Sequence, residues 1–351
     1  MINRRDFLRS RTLAHTAGQV LGVLDAVAEI DEEPSAEAPL LRVSQRAMAT
    51  HFEVVVPFGT PHAQRAAEDA LAEIDRLESQ LTVYRESSEI SRLNAMASFA
   101  PVPVEDRLFG LLQLAARIHA ETEGAFDITS GALIKTWGFF KGPRRVPSEV
   151  ERTHALERVG MAHVTLDQER HQVRFLRPGL EINLGSIGKG YALDRATEVL
   201  AGSWNLPSAL LHGGQSSVYA MGTEPGSRCG WPVGIRHPWD PEKRMATVNL
   251  RDRGLGTSAA TFQYLEHEGR KLGHILDPRT GWPAEGMVSA SVIAPTAAEA
   301  DALATAFFIL GVNKARAYCE VHPEIGAILL DHADSAPVVL NLTEMEVSIA
   351  S

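Results

Sequence analysis

Asp301 and Thr305 are the two side chains whose spacing points most directly to metal chemistry. They lie four residues apart near the start of a predicted helix, so a carboxylate and a hydroxyl share one helix face, one turn apart. Oxygen donors of this kind suit a hard cation such as Mg²⁺. The structural alternative is a solvated Asp near the positive helix end and a Thr bonded to a backbone carbonyl. Taken alone the pair favours that alternative, so the surrounding motifs must decide.

A glycine-rich turn between residues 182 and 194 is the second candidate site. Gly185, Gly188 and Gly190 would let the backbone approach a ligand closely. Lys189 and the N-terminus of the following helix would favour phosphate oxygens. The spacing is not that of a P-loop. A tight turn with an exposed lysine is the alternative, and this string alone does not choose between the two.

His274 lies in the third candidate, just before a turn marked by Asp277-Pro278 and Thr280-Gly281. An imidazole can act as a general base near neutral pH. Arg279, inside the turn, could hold a phosphate or brace Asp277. A single histidine beside a turn is more often structural, so this motif also depends on its context.

The fourth candidate is the string from Glu123 to Thr129, which follows a predicted helix end at Gly124. Phe126 could stack on a heterocycle while Asp127 bonds its polar edge. Packing of the aromatic ring in the core is the more common role of such a residue.

These motifs need helices and strands to hold them. Amphipathic helices are predicted over residues 63–81 and 106–121, and a further helix from about 191 to 202. Strands are predicted within 42–57 and at 164–166, 173–176, 180–184, 209–211, 218–221, 233–236, 247–250, 288–294, 327–330 and 338–340. Many strands follow one another with no helix between them. The pattern therefore favours an α+β fold with antiparallel-rich mixed sheets and covering helices over a doubly wound fold.

The helix that carries Asp301 has the clearest boundaries. Thr296 and Glu299 have the three-residue spacing of a capping box, directly before an apolar run. Gly311 is the predicted end of this helix.

Composition limits the classes of partner. The chain of 351 residues has 44 Asp and Glu against 34 Lys and Arg, a formal net charge of −10. Such an acidic balance argues against nucleic acid as a partner. An anionic ligand would have to be held locally, by a metal, a lysine or backbone N–H groups. The two cysteines are too few for a disulfide framework or a thiolate metal cluster.

Residues 1–28 have the features of an export signal. Arg4-Arg5 forms a twin-arginine pattern, a moderately apolar stretch follows, and Ala26-Val27-Ala28 offers a cleavage site. A cytosolic helix is the alternative, because polar residues interrupt the apolar stretch. Residues 29–41 are predicted as an acidic linker and 42–345 as the catalytic domain. No run is long and apolar enough for a spanning helix. Because the N-terminus resembles a signal, we expect an exported, periplasmic or envelope-associated protein, or a cytoplasmic one if the N-terminus is no signal.

Taken together and in order, these motifs resemble the ApbE family of FAD:protein FMN transferases. The resemblance spans about residues 42 to 311. It rests on the strings Met48-Ala49-Thr50, Leu81-Thr82-Val83-Tyr84, Ser88 to Asn94, Gly124 to Asp127, Gly185 to Asp194, Gly213-Gly214, Gly256-Thr257-Ser258, His274 to Gly281 and Asp301 to Thr305.

The resemblance implies a T-fold-like, two-lobed single catalytic domain that binds FAD and Mg²⁺. By position, Asp301 and Thr305 would bind the metal through their side chains and Ser186 through its carbonyl. His274 would be the catalytic base beside the reacting phosphate. The FAD site would be lined by Met48, Tyr84, Ala125, Phe126, Asp127, Asn183, Lys189 and Ile275.

The implied reaction is phosphoryl transfer, in which a threonine hydroxyl of an acceptor flavoprotein attacks the FMN phosphorus and AMP departs. The acceptor would belong to an electron-transfer system of the envelope. Two alternatives remain open: a Mg²⁺-dependent FAD pyrophosphatase that uses water, and a non-catalytic FAD-binding protein of the envelope.

Three positions depart from the family pattern. Asn183 replaces a usual Asp, Gln215 follows Gly213-Gly214 where Asp or Asn is common, and Ala259 stands where Gly is usual. Asn183 keeps a hydrogen-bonding group but no charge. Ala259 would be strained if its position needs a positive φ.

Overall fold

Strands and seven α-helices are the main elements of the part of the chain that the computed structural model describes, which is residues 39–140, 143–259, 264–267, 269–332 and 335–350. The helices are α1 (Ala63–Leu81), α2 (Glu89–Met96), α3 (Asp106–Glu121), α4 (Gly131–Thr136), α5 (Glu149–Leu156), α6 (Gly188–Glu198) and α7 (Ala297–Val321). The strands are β1 (Leu40–Ala47), β2 (Thr50–Pro57), β3 (Val102–Pro103), β4 (Val164–Asp167), β5 (Gln172–Phe175), β6 (Ala209–Gly213), β7 (Ser217–Met221), β8 (Trp231–His237), β9 (Asp240–Leu250), β10 (Arg253–Ala259), β11 (Tyr264–His267), β12 (Arg270–Gly273), β13 (Ser289–Ala294), β14 (Gly326–Leu330), β15 (Val338–Leu340) and β16 (Val347–Ile349).

An eight-stranded sheet in the order β1-β2-β6-β7-β10-β13-β14-β15 organises the molecule. Every neighbouring pair in it is antiparallel. Helices α1, α6 and α7 pack on one face, and the small sheet β16-β9-β8 packs on the other. The expected α+β class with antiparallel sheets and covering helices is therefore confirmed.

Both faces of the central sheet are buried, and strand β2 shows the effect. Phe52, Val54 and Val56 point into the helix-covered core, as their alternation predicts. Val55, between them, is also buried because it faces the small sheet. The predicted single strand within 42–57 is in fact a hairpin of β1 and β2, turned by Met48 and Ala49, which have φ of 47° and 62°.

The predicted strand at 180–184 is wrong. Only Glu181 forms an isolated bridge, with Ser130. The Asn94 side chain, not a neighbouring strand, forms the hydrogen bonds of the Ile182 backbone. Its amide oxygen accepts from the Ile182 N–H at 2.8 Å, and its amide nitrogen donates to the Ile182 carbonyl at 2.9 Å. A side chain 88 positions away therefore satisfies this backbone and leaves residues 183–187 free to form a turn.

Strand β10 was missed in the sequence, although it lies inside the sheet and carries α7. Its glycines have a packing function: a Cβ on Gly254 would lie 2.5 Å from the Ala297 backbone, and one on Gly256 would lie 2.5 Å from the Ala300 backbone. Helix α7 thus lies directly on the strand. Ala259 is an ordinary strand residue paired with Ser289, so the strain considered for it does not arise.

Helices α1 and α3 have the predicted bounds, and α6 begins three residues earlier than predicted, at Gly188. The first turn of α7 is half a capping box. Thr296 accepts from the Glu299 N–H at 3.1 Å, but the Glu299 carboxylate pairs with Arg117. The predicted end at Gly311 is a kink with φ of 76°, after which helical backbone continues to Val321.

A smaller lobe carries the turn that follows His274. Its core contains Leu133, Trp137, Ala155, Leu272 and Leu276, from helices α4 and α5, strand β12 and the turn itself. Strands β11 and β12 form a separate two-stranded sheet just before His274.

The chain ends bear on the predicted domain bounds. The predicted signal and most of the predicted linker lie outside the described residues, and β1 begins at Leu40, inside the linker's last two positions. Strand β16 pairs with β9 beyond the predicted end at 345. Among the helices of the described residues, none has both the length and the apolar character that a membrane span requires.

Candidate functional site

Asp301 lies in the second turn of α7 and is a buried residue, with 8% of its surface exposed. Oδ2 accepts from the Gly190 N–H at 2.7 Å, and the Ser217 hydroxyl lies 2.8 Å from Oδ1 and 2.9 Å from Oδ2. Burial raises the pKa of Asp301 to about 6, although Lys189, Ser217 and the Gly190 N–H all lower it. A buried carboxylate of this kind is stabilised by a cation.

The position of α7 is determined by close contacts with α6. Both carboxylate oxygens of Asp194 accept from the first turn of α7, at 2.8 Å from the Ala297 N–H and 2.9 Å from the Ala298 N–H. A Cβ on Gly190 would lie 2.1 Å from the Ala297 carbonyl oxygen. The acidic helix and the glycine-rich turn therefore meet directly.

Thr305 lies one turn after Asp301, as its spacing predicts. Its hydroxyl lies 3.3 Å from the Asp301 carbonyl and 3.3 Å from the Ser258 hydroxyl. Ser186 directly precedes Ile187, the N-cap of α6, and so lies four residues before the Gly190 contact. The structure thus joins Asp301 to the segment that contains Ser186.

The donor set fits Mg²⁺. Across the described ranges, no three His, Cys, Asp or Glu side chains converge as a metal site. A cation would instead be held by one carboxylate with hydroxyl and carbonyl oxygens, which are hard donors. Asp301, Thr305 and Ser186 supply these donor types.

Lys189 extends from the first turn of α6 toward the β6–β7 connection, where its ammonium donates to the Ser216 hydroxyl. The Ser216 carbonyl accepts from the Thr257 N–H at 2.7 Å, which ties this connection to β10. A cationic group thus lies beside the buried carboxylate, at a helix N-terminus suited to anions.

Asn183 begins the glycine-rich turn. Its amide oxygen accepts from the Gly185 N–H at 2.8 Å, and its own N–H donates to the Ile128 carbonyl at 2.7 Å. The side-chain oxygen forms the same short-range bond that an Asp would form. The departure at this position therefore removes a charge and leaves the turn intact.

The string around Asp127 is largely core. Ala125 and Phe126 are fully buried, so the Phe126 ring packs inside the protein, the more common of its two expected roles. Asp127 accepts from Thr129 through both the N–H and the hydroxyl, at 2.7 and 2.6 Å. Its other oxygen lies 3.3 Å from His119 Nδ1. The Asp127 side chain is itself buried, with 2% of its surface exposed.

Met48 and Tyr84 differ in exposure. Met48 packs against the main core from the β1–β2 turn. Tyr84 is 48% exposed, and its ring stacks on Phe140 at 4.7 Å between centroids with an interplanar angle of 2°. An aromatic face in water is suited to a planar ring.

His274 follows β12, and Ile275 begins a braced turn. The Ala284 N–H donates to the Ile275 carbonyl at 2.8 Å, and Arg279 holds both oxygens of Asp277 at 2.8 and 2.7 Å. Arg279 therefore braces Asp277, one of its two expected roles. The Trp137 indole ties the turn to the smaller lobe by donating to the Gly281 carbonyl at 2.9 Å.

Sequence reasoning missed Asp194, Ser216 and Ser217, which connect the predicted residues. Asp194 ends a string that was singled out, but nothing in its spacing shows that it caps another helix. The serines follow Gly213-Gly214, which is the only signal that the sequence contains for them.

Comparisons with known proteins match the part of the chain that contains these site residues. The ApbE family profile matches residues 48–329. A FAD:protein FMN transferase from Salmonella typhimurium is 34% identical over 265 residues, covering 72% of this chain and 74% of that protein. One from Treponema pallidum is 33% identical over 288 residues, covering 78% of each.

Solved structures agree with the family match. The ApbE protein of Thermotoga maritima has a TM-score of 0.76 at 29% identity, covering 83% of this chain and 94% of that chain. The flavinyl transferase ApbE of Pseudomonas stutzeri has a TM-score of 0.75 at 26% identity, covering 86% and 94%. Because the profile and these relatives cover most of the chain, this protein belongs to the ApbE family.

Proposed function

We propose that this chain transfers the FMN half of FAD to a threonine hydroxyl of an acceptor flavoprotein and releases AMP. The names of its relatives support the reaction class. The observation that carries the proposal is the contact between Asp301 and the first turn of α6, beside Lys189. On a protein with a net charge of −10, this is a local site where a cation and a lysine can hold a pyrophosphate.

Mg²⁺ would be held by Asp301, Thr305 and the Ser186 carbonyl. When bound, it would supply positive charge that offsets the charge of the pyrophosphate oxygens. Lys189 would contribute a second positive charge from the helix N-terminus. The rest of the protein's contribution is alignment of the substrate.

At the phosphorus, one bond forms and one breaks. The threonine Oγ attacks the FMN phosphorus, and the bond from that phosphorus to the bridging oxygen breaks. The electron pair leaves with AMP, a phosphate monoester that needs no strong general acid. His274 takes the hydroxyl proton, and it is preferred as the base because Asp301 would be engaged by the metal.

The remaining predicted residues would line the FAD site. Tyr84 presents a half-exposed ring that suits stacking, and Asn183 begins the turn next to Lys189. Met48, Ile275, Asp127 and the Ala125-Phe126 backbone would complete the lining.

The acceptor and the location follow from the N-terminus. Arg4-Arg5 with the following apolar stretch supports export, so the acceptor would be a threonine-bearing flavoprotein of an envelope electron-transfer system. Fractionation of cells that express the full chain with a C-terminal tag tests the location. Recovery in the cytoplasm alone, with the N-terminus intact, would reject export.

The function is tested by incubating the protein with FAD, Mg²⁺ and a threonine-bearing acceptor flavoprotein. We expect a covalently fluorescent acceptor band and one AMP per FMN attached, both lost when EDTA replaces Mg²⁺. AMP and free FMN formed without acceptor would identify a pyrophosphatase. FAD bound and recovered whole under all conditions would identify a non-catalytic binder.

A further inference from the structure

Ser217 is a buried residue that none of the predicted roles includes. It begins β7, is 0% exposed, and directs its hydroxyl at the Asp301 carboxylate from a position 84 residues away in the chain. The contacts are 2.8 Å to Oδ1 and 2.9 Å to Oδ2.

The sheet register explains why Ser217 reaches Asp301. Ser217 pairs with Gly256 on the adjacent strand β10. A Cβ on Gly256 would lie 2.5 Å from the Asp301 backbone N, so the absent side chain lets α7 lie against the sheet at this point. A small hydroxyl residue beside the glycine can then reach up to the carboxylate.

The two carboxylate oxygens of Asp301 have different hydrogen-bond donors. The Gly190 N–H donates to Oδ2, and the Ser217 hydroxyl, which has a single proton, can donate to Oδ1. Each oxygen then has one donor and keeps a lone pair for a further partner. Loss of the hydroxyl would leave the Gly190 N–H as the one remaining donor of this pair and let the carboxylate rotate about it.

We propose that Ser217 is a positioning residue that orients the Asp301 carboxylate toward a divalent cation. This proposal rests on the proposed function, because it takes Asp301 as the charged metal ligand. Groups that orient a metal ligand commonly change metal affinity by about 10- to 100-fold when removed.

The test measures Mn²⁺ binding by electron paramagnetic resonance on the full protein with FAD, before turnover proceeds. Ser217→Ala should weaken Mn²⁺ binding by about 10- to 100-fold. Ser217→Thr, which keeps the hydroxyl and suits a strand, should restore binding to within about threefold. In the transferase assay, Ser217→Ala should raise the Mg²⁺ concentration for half-maximal rate more than it lowers the rate at saturating Mg²⁺.

A matched control is the buried Ser208, just before β6 in the same hairpin. Its hydroxyl donates to the Thr223 carbonyl and accepts from the Trp231 indole, away from Asp301. Ser208→Ala should lower the melting temperature and leave Mn²⁺ binding unchanged. If Ser217→Ala does not fold, Ser217→Cys replaces it, because a thiol is a weak donor of similar size.

The outcomes separate this proposal from the proposed function. Mn²⁺ binding by Ser217→Ala within twofold of the wild type, or equal weakening by Ser208→Ala, would overturn the positioning role alone. A wild-type protein that binds no Mn²⁺ in the presence of FAD would overturn the metal assignment itself.

Discussion

The corner formed by Asp301, Gly190, Asp194 and Ser217 is stabilised by different contacts from the turn after His274. Asp301 is buried, and its partners Gly190 and Ser217 lie 111 and 84 positions away in the chain. The turn is exposed at Arg279, and most of its bonds join residues two to nine positions apart, such as Arg279 to Asp277, while the Trp137 indole donates to the Gly281 carbonyl from 144 positions away. Long-range contacts therefore build the first region, whereas mainly short-range contacts shape the second.

Because of this difference, we expect substitutions in the two regions to affect stability and function differently. The corner contains a second carboxylate, that of Asp194, whose pKa is also raised by burial, to about 7. Substitutions there should change metal binding and, where they disturb the packing or the buried charge, stability as well. Substitutions at His274 should change the chemistry and leave the fold nearly unaffected.

The largest effect is expected from Asp301→Asn, which tests the corner. Transferase activity should fall by about 10³-fold or more, because the charged metal ligand is lost. The metal-free melting temperature at pH 8 should stay equal or rise, since the amide carries no charge into a buried site. Activity assays and thermal melts check both. Unchanged Mg²⁺-dependent turnover would reject the metal assignment.

His274→Gln tests the turn. The rate at saturating FAD and Mg²⁺ should fall by about 10²- to 10³-fold, as for loss of a general base. The melting temperature and Mn²⁺ affinity should stay at wild-type values, which is the contrast with the corner. A variant that turns over normally, or that loses Mn²⁺ binding, would contradict the assignment of His274.

Gly256→Ala tests the close packing beneath the corner. The added methyl would lie 2.5 Å from the backbone of Ala300 and Asp301, so unfolding should become about 1–3 kcal/mol easier. Mn²⁺ binding should weaken because the helix must move. Urea unfolding measures the first effect and Mn²⁺ titration the second.

Gly110→Ala is the matched control for that substitution. Gly110 lies inside α3, and a Cβ there meets nothing within 4 Å. It should stabilise the protein by about 0.5–1 kcal/mol and leave Mn²⁺ binding unchanged. Equal effects of the two glycine substitutions would show that close packing at Gly256 is unimportant.

The smallest effect concerns pH and His119. Burial lowers the pKa of His119. The hydrogen bond to Asp127, the negative charge of Asp127 and the hydrogen bond to the Phe126 carbonyl together raise this pKa by more, so the net shift is upward. A raised folded pKa stabilises the fold fully below the unfolded value of about 6.5, and the contribution is lost as the pH rises through the folded pKa.

The stability contributed by His119 should therefore fall as the pH rises from about 6.5 through the folded pKa of His119, by less than about 1 kcal/mol. Urea unfolding at several pH values should show this loss in the wild type and a flatter curve in His119→Asn. Identical pH slopes in the two proteins would exclude the His119–Asp127 contact as the cause.

Periodicity and caps predicted much of the fold. Helices α1 and α3 follow from apolar residues on one face, and α7 begins directly after Thr296 because the side-chain oxygen of Thr296 caps a backbone N–H. Strand β10 escaped because its glycines lack the side chains that create an alternating pattern. The segment 180–184 has such a pattern, yet Asn94 takes its hydrogen bonds.

The amino-acid sequence by itself determined the chemical types at the site: a carboxylate and a hydroxyl one turn apart, a lysine after glycines, and a histidine before a turn. Only the tertiary structure decided that Gly190, Ser217 and Asp194 hold the acidic helix, and that Phe126 is core rather than a stacking face. The physical reason is the distance along the chain between the residues that make contact. Spacing along a chain encodes contacts within a turn or a strand, whereas partners more than 80 positions apart meet only when the sheet and its helices pack.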